Sequence, residues 1–219
     1  IGVTLRNGRY IIGKILGNGG FGITYKAWDT VLNRYVAIKE FYPSGIVNRV
    51  PGTNNVILYA AKREKEYYAQ KQRFWDEAVN TKSFNQDNSK RNHNIVDVLD
   101  YFEENDTAYF VMEFLDGVPL NKYLKEKGGK LSVQEAADIV LKIANALITV
   151  HEKGFVHRDI SPGNIFMCKG GVVKLIDFGA ARFAENEDAQ LSIILKPGYA
   201  PAEQYEKVNE QGPWTDVYA

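Results

Sequence analysis

The sequence predicts an α+β chain in two parts: a small antiparallel β-sheet carrying one long helix, then a mainly helical half. Three observations predict it. Apolar residues alternate in short runs over the first forty positions. The repeat lengthens to three and four residues near residue 60 and again after residue 131. A Leu115-Asp116-Gly117 break separates the strand-rich front from the helix-rich back, so the expected domains are 1–115 and 116–219, two lobes with a cleft between them.

Residues 10–16 form an apolar-rich run that ends in a glycine cluster. Ile23, Tyr25 and Ala27 alternate with Thr24, Lys26 and Trp28, and residues 35–41 supply a third strand. A polar stretch with Pro43, Gly45, Pro51 and Gly52 predicts a loop. Over 59–84 a helix places Tyr67, Phe74 and Ala78 on one side. Residues 95–102 and 108–114 read as a hairpin around Glu104-Asn105-Asp106. Leu131 and Ser132 open a second helix, with Glu135 placed to complete a capping box. Ala136, Val140, Ile143, Leu147 and Val150 form its apolar face and Gly154 ends it. Residues 165–167 and 172–176 bracket Gly170-Gly171 as a short hairpin.

Composition excludes several classes. Of 219 residues, 45% are hydrophobic and 25% charged, an ordinary globular balance. Lys plus Arg equals Asp plus Glu at 27 each, so no net charge recommends nucleic acid or an anionic membrane as partner. Cys168 is the single cysteine, so no intrachain disulfide forms, which fits a cytoplasmic location. No apolar run is long enough to cross a bilayer, and IGVTLRNGRY is not a signal peptide; a membrane tether would lie outside these residues.

Four motifs carry chemistry. Gly17-Asn18-Gly19-Gly20-Phe21-Gly22 is a G-x-G-x-x-G cluster, which alone also fits a dinucleotide fingerprint. Alternation resumes at once after Gly22, so the loop joins two antiparallel strands, and its glycines let backbone approach phosphates. Val36-Ala37-Ile38-Lys39 sets a lysine on the third strand. A strand lysine is usually only solvated; here it reads as a cation for α- and β-phosphates, held by a helix glutamate. Glu77 is that glutamate in preference to Glu64 and Glu66, because of its spacing to the next strand.

His157-Arg158-Asp159 is followed by Asn164, and Asp177-Phe178-Gly179 comes after the short hairpin. Phosphoryl transfer needs an acceptor for the attacking hydroxyl's proton, which Asp159 supplies. It also needs metal to bridge phosphate oxygens, and Asn164 and Asp177 offer hard oxygen ligands. His93, His151 and Cys168 have no partners at metal-ligand spacing and read as structural.

Together these motifs, with the phrasing GGFGITY, KEFYP, HRDISPGN and GYAPAEQY, resemble the eukaryotic-type serine/threonine protein kinases, bacterial members especially, over essentially the whole chain. The resemblance implies the bilobal protein-kinase fold, ATP and Mg2+ as cofactors, and a protein Ser/Thr hydroxyl as acceptor, the chain itself included. It implies nucleotide contacts from Gly17, Gly19, Gly22, Thr24, Ala37 and Lys39, with Glu113, Phe114 and Leu115 as the adenine-gripping hinge. Met112 would be the gatekeeper, and Phe166 would face Ala37 across the adenine. Glu203 would close the activation segment and Asp216 open a large central helix.

The pattern departs from that family in four places. Ser161 stands where a lysine normally neutralises the γ-phosphate, and Lys196 stands where a threonine normally bonds the catalytic loop; in the family fold these positions face each other, which suggests a swap that makes Lys196 catalytic. About 37 residues separate Lys39 from Glu77, implying an insertion around residues 41–60. The chain ends where the central helix should begin, so the expected C-lobe is incomplete, with apolar surface inviting self-association. Ser192 is the only aliphatic hydroxyl between Gly179 and Glu203 and is the expected phosphosite, with Arg158 receiving the phosphate. A nucleotide-binding pseudokinase or scaffold and a small-molecule phosphotransferase are the rival classes; the latter lack a segment like GYAPAEQY.

Overall fold

The structure, a computed structural model, describes residues 2–87, 89, 91–183, 196–205 and 211–219. Contacts divide the chain into two compact units, Ile1–Lys82 with Asp97–Phe114 and Ser83–Val96 with Leu115–Ala219.

The first unit is built on a six-stranded antiparallel sheet. Its early strands are β1 (Thr4–Leu5), β2 (Tyr10–Asn18), β3 (Gly22–Asp29) and β4 (Arg34–Phe41). A two-stranded hairpin, β5 (Val47–Arg49) and β6 (Val56–Leu58), precedes helix α1 (Glu64–Phe84). Strands β7 (Val98–Glu104) and β8 (Thr107–Glu113) complete the sheet in the order β1-β2-β3-β4-β8-β7. Asn105 and Asp106 make the β7–β8 turn with positive φ at both residues, the geometry that matches strand twist in a two-residue hairpin.

Period-two alternation gives the sheet two buried faces. Tyr10, Ile12, Ala27, Val36, Ile38 and Val111 pack in one cluster. Phe41, Ala108 and Phe110 pack in the other with Tyr67, Phe74 and Ala78 of α1. Lys39 lies in register with Thr24 on one side and Phe110 on the other, and so shares the face that α1 covers.

The second unit begins with residues 83–96, which Asn94 and Val96 tie to it. Asn94 Nδ2 donates to the Val173 carbonyl at 2.7 Å, and Val96 N donates to the Leu175 carbonyl at 3.1 Å. Its elements are β9 (Gly117–Pro119), α2 (Leu120–Glu126), α3 (Val133–Glu152), β10 (Phe155–Val156), β11 (Ile165–Cys168), β12 (Val173–Leu175), β13 (Arg182–Phe183), α4 (Ala202–Tyr205) and α5 (Pro213–Tyr218). Strands β12, β11 and β9 form one small sheet, and β10 pairs with β13. No helix among the described residues is long and apolar enough to cross a membrane.

The α+β layout is as the sequence predicts, and three local readings are corrected. Residues 43–58 are not simply a loop: β5 and β6 pair there, and Ile46, Val47 and Val56 are buried beside Phe41 and Tyr67. Three-residue strands are too short for alternation to register, so burial decides them. The α3 core face is Ile139, Ile143, Ala146, Leu147 and Val150, whereas Val140 is 64% exposed and lies with Val133, Leu141 and Ile148 on an exposed apolar side. The helix is apolar on both sides, so spacing alone does not choose between them. Ser132 caps α3 by accepting from Glu135 N at 3.2 Å, but the Glu135 carboxylate accepts from Tyr123 Oη at 2.6 Å instead of closing a capping box.

Candidate active site

The β2–β3 hairpin carries the glycine cluster. Gly17 pairs with Thr24 and Asn18 with Ile23, and Gly19 N donates to the Gly22 carbonyl at 3.0 Å. Nothing lies within 4 Å of where a Cβ on Gly17 or Gly20 would sit, so the backbone there is open to an incoming group. Gly22 is glycine for another reason: a Cβ would run into the Glu40 carbonyl of β4.

The strand pleat puts Thr24, Ala37, Lys39 and Met112 on one face of the sheet, Ala37 paired with Met112 and Thr24 with Lys39. Lys39 Nζ donates to Glu77 Oε1 at 2.7 Å, with side-chain exposures of 18% and 9%. Phe74 and Phe110 flank the amine at 5.9 and 5.4 Å from their ring centres. Glu113 Oε1 accepts from Asp97 N at 2.9 Å, and its own N donates to the Asp97 carbonyl at 3.1 Å. Leu115 and Phe166 belong to the second unit, where Phe166 pairs with Pro119 and Lys174.

In the second unit Asp216, 3% exposed, braces the loop that carries His157, Arg158 and Asp159. Its carboxylate accepts from His157 N at 2.8 Å and Arg158 N at 2.7 Å and is hydrogen-bonded to His151 Nε2 at 2.8 Å. Arg158 is thereby held at φ 68°, a left-handed conformation a non-glycine residue adopts only when its neighbours fix it. Burial pushes the His157 imidazole below its usual range, so it is neutral; its ring packs on Phe178, 4.7 Å between centres.

Asn164 Nδ2 donates to the Asp159 carbonyl at 2.8 Å and to Asp159 Oδ2 at 2.7 Å, which fixes the carboxylate's orientation. Asp177 also has positive φ, 64°, and its Oδ1 accepts from Gly179 N at 3.4 Å. Lys196 Nζ donates to Ser161 Oγ at 2.7 Å and lies 3.3 Å from Asp159 Oδ1. Arg158, Asp159, Lys196, Tyr199, Gln204 and Asp216 line a small pocket. Burial, and then the nearby Arg182 cation, push the Arg158 guanidinium downward, and its Nε has no partner among the described residues. Ser192 lies outside the described residues.

The protein kinase domain profile matches residues 43–219. The chain belongs to the protein kinase family. It is 32% identical over 225 aligned residues to the serine/threonine-protein kinase PknA of Mycobacterium tuberculosis, covering 100% of this chain and 46% of that protein. It is 36% identical over 185 residues to the serine/threonine-protein kinase PksC of Streptomyces coelicolor, covering 81% of this chain and 29% of that one. The solved structure titled PpkA-294 apo form superposes with a TM-score of 0.84 at 34% identity, covering 100% of this chain and 74% of that chain. The chain thus spans less than half the length of these curated kinases.

Within this kinase fold, two contacts were not visible in the sequence. His151, read as structural, hydrogen-bonds Asp216 across 65 positions, and no spacing rule announces such a pair. Glu40, next to Lys39 but on the other face, is 1% exposed and accepts from Tyr25 Oη at 2.8 Å, Tyr109 Oη at 2.9 Å and Arg49. Burial and then the Glu40 charge push both phenols up. A charged residue inside an apolar strand was the one available signal, since such a group must be paired.

Proposed function

We propose that the chain is the catalytic core of a serine/threonine protein kinase that transfers the γ-phosphoryl group of Mg-ATP to Ser or Thr hydroxyls of proteins, itself included. The observation that carries the reading is Asp159, whose carboxylate Asn164 holds at one oxygen in a loop braced by Asp216. A carboxylate fixed in this way accepts the proton of an approaching hydroxyl.

The first unit contributes Lys39 to the α- and β-phosphates, with Glu77 orienting it, and the glycine loop of Gly17, Gly19 and Gly22 beside Thr24, its backbone open at Gly17 and Gly20. Ala37, Met112, Glu113, Leu115 and Phe166 are assigned to adenine. For Mg2+ the donor set is suitable: Asn164 directs Nδ2 at Asp159 and keeps its amide oxygen as an acceptor, and Asp177 adds a carboxylate. Bound there, the metal would neutralise charge on the phosphate oxygens. Arg158, whose Nε has no partner among the described residues and which has Arg182 as a neighbour, supports reception of a phosphate carried by Ser192.

Cellular ATP and the single cysteine favour work in the cytoplasm, with any membrane tether borne elsewhere in the protein. The exposed Val133, Val140, Leu141 and Ile148 of α3 support self-association through that side, which sedimentation over a concentration series tests.

The deciding experiment is the intact mass of the chain before and after incubation with Mg-ATP. Phosphate increments that vanish in Asp159→Asn and fall about 10²-fold or more in Lys39→Met support the reading. Nucleotide binding without any increment in the chain or an added protein would support a pseudokinase instead.

A further inference from the structure

Lys196 is anchored as few surface lysines are. Its carbonyl accepts from both Tyr199 N at 3.0 Å and Ala200 N at 3.1 Å, which fixes the backbone that carries it. Its amine donates to Ser161 Oγ at 2.7 Å and lies 3.3 Å from Asp159 Oδ1, yet the Lys196 side chain stays 42% exposed. Gly163 frames the same spot: a Cβ there would touch Lys196 Nζ at 3.8 Å and Ser161 Oγ at 3.9 Å.

An exposed ion pair of this kind adds little to stability. What the arrangement does is hold one positive charge beside the carboxylate that receives the proton. An ammonium has three donors. One meets Ser161 and one is directed toward Asp159, and the third, without a partner among the described residues, can meet an oxygen arriving next to the acceptor hydroxyl. We propose that Lys196 is a catalytic residue that binds the transferring phosphoryl group, with Ser161 as the hydroxyl that positions its amine.

The inference rests on the kinase reading above and specifies its chemistry. The acceptor hydroxyl oxygen forms a bond to the γ-phosphorus and its proton passes to Asp159. The bond from that phosphorus to the β,γ-bridging oxygen breaks, and its electron pair leaves on the nucleoside diphosphate. Negative charge resides on the three non-bridging oxygens during the exchange, and a fixed cation in contact with one of them stabilises that state more than the ground state. A lysine doing this need not lie on the catalytic loop; it needs its nitrogen there, and Ser161 leaves the space for it.

The test is the initial rate of phosphate transfer to the chain itself and to dephosphorylated casein, with KM for ATP and melting temperature, in four proteins. These are the wild type, Lys196→Ala, Ser161→Lys, and the exchange Ser161→Lys with Lys196→Thr. Lys196→Ala should lower kcat about 10²-fold while KM for ATP stays within about threefold and the melting temperature is retained. The exchange, which returns one cation from the other side, should recover at least about tenfold over Lys196→Ala. Ser161→Lys alone crowds two ammonium groups and should be slower than the exchange. Wild-type turnover in Lys196→Ala, or an exchange no faster than Lys196→Ala, overturns the assignment while leaving the kinase reading intact. A wild type that binds Mg-ATP but transfers no phosphate overturns the kinase reading, and this inference falls with it.

Discussion

Glu40 on β4 accepts two hydrogen bonds from Arg49 Nη2 on β5, at 2.9 and 2.7 Å, so one ion pair fastens the hairpin between β4 and α1 to the strand that carries Lys39. The carboxylate is almost wholly buried while the Arg49 side chain is 30% exposed. Removing the arginine alone leaves a buried anion with two phenols, Tyr25 and Tyr109, as its partners among the described residues. Arg49→Ala should therefore cost about 2–4 kcal/mol, somewhat less than a fully buried pair because water reaches the vacated side. The double variant Arg49→Met with Glu40→Gln should be closer to wild type than Arg49→Ala. Urea unfolding of the set measures both, and additive losses would contradict the coupling.

Gly22 and Gly20 sit two residues apart in one loop and should respond oppositely to the same change. A Cβ on Gly22 meets the Glu40 carbonyl, which is backbone and cannot swing away, whereas nothing lies near one on Gly20. Gly22→Ala should lower stability by about 1–3 kcal/mol. Gly20→Ala should stay within about 0.5 kcal/mol of the wild type. Thermal melts of the two variants decide it.

Asp216→Asn replaces one acceptor oxygen with an NH2 group facing either a backbone N–H or His151. The loop that holds Asp159 would loosen without any change to the nucleotide-binding residues. Phosphate transfer should drop at least about tenfold at unchanged ATP affinity, with about 1–3 kcal/mol lost from stability. Rate and nucleotide titration together test this, because a general loss of folding would lower both.

His157 makes stability depend on pH. Burial holds its folded pKa below the usual value of 6.5, so the unfolded chain binds the extra proton first as pH falls. The contribution is complete above that value and is lost below it, at no more than about 1.4 kcal/mol per pH unit, until the folded imidazole itself protonates. Urea unfolding between pH 5 and 8 should show this decline, and His157→Gln, though less stable at pH 8, should flatten it.

Much of this molecule is legible in its residues because most of the signal is local. Alternation finds β2, β3, β4, β7 and β8, and a three-to-four repeat finds α1 and α3. Glycine pairs and Asn105-Asp106 mark turns where positive φ is needed. What fails is whatever depends on a distant partner. The hairpin 47–58 is specified by burial against Phe41 and by Glu40 with Arg49, neither of which has a period. Val140 and Ile139 are neighbours on a helix with two apolar sides, and only the packing of α3 tells which faces inward. In the candidate site, motif spacing names residues but not braces: Asp159 and Asn164 are five apart in a recognisable phrase, while the contact of His151 with Asp216 spans 65 positions.

That last brace has a consequence for how the chain is made. The Asp216 carboxylate secures backbone N–H groups 58 and 59 residues upstream of it. A ribosome adding about 5–20 residues per second needs roughly 3–12 s to cover that distance. For that interval the emerging polypeptide displays His157 and Arg158 without the carboxylate that holds Arg158 in its left-handed conformation. The loop thus takes its braced geometry only once the segment that carries Asp216 has been synthesised and released.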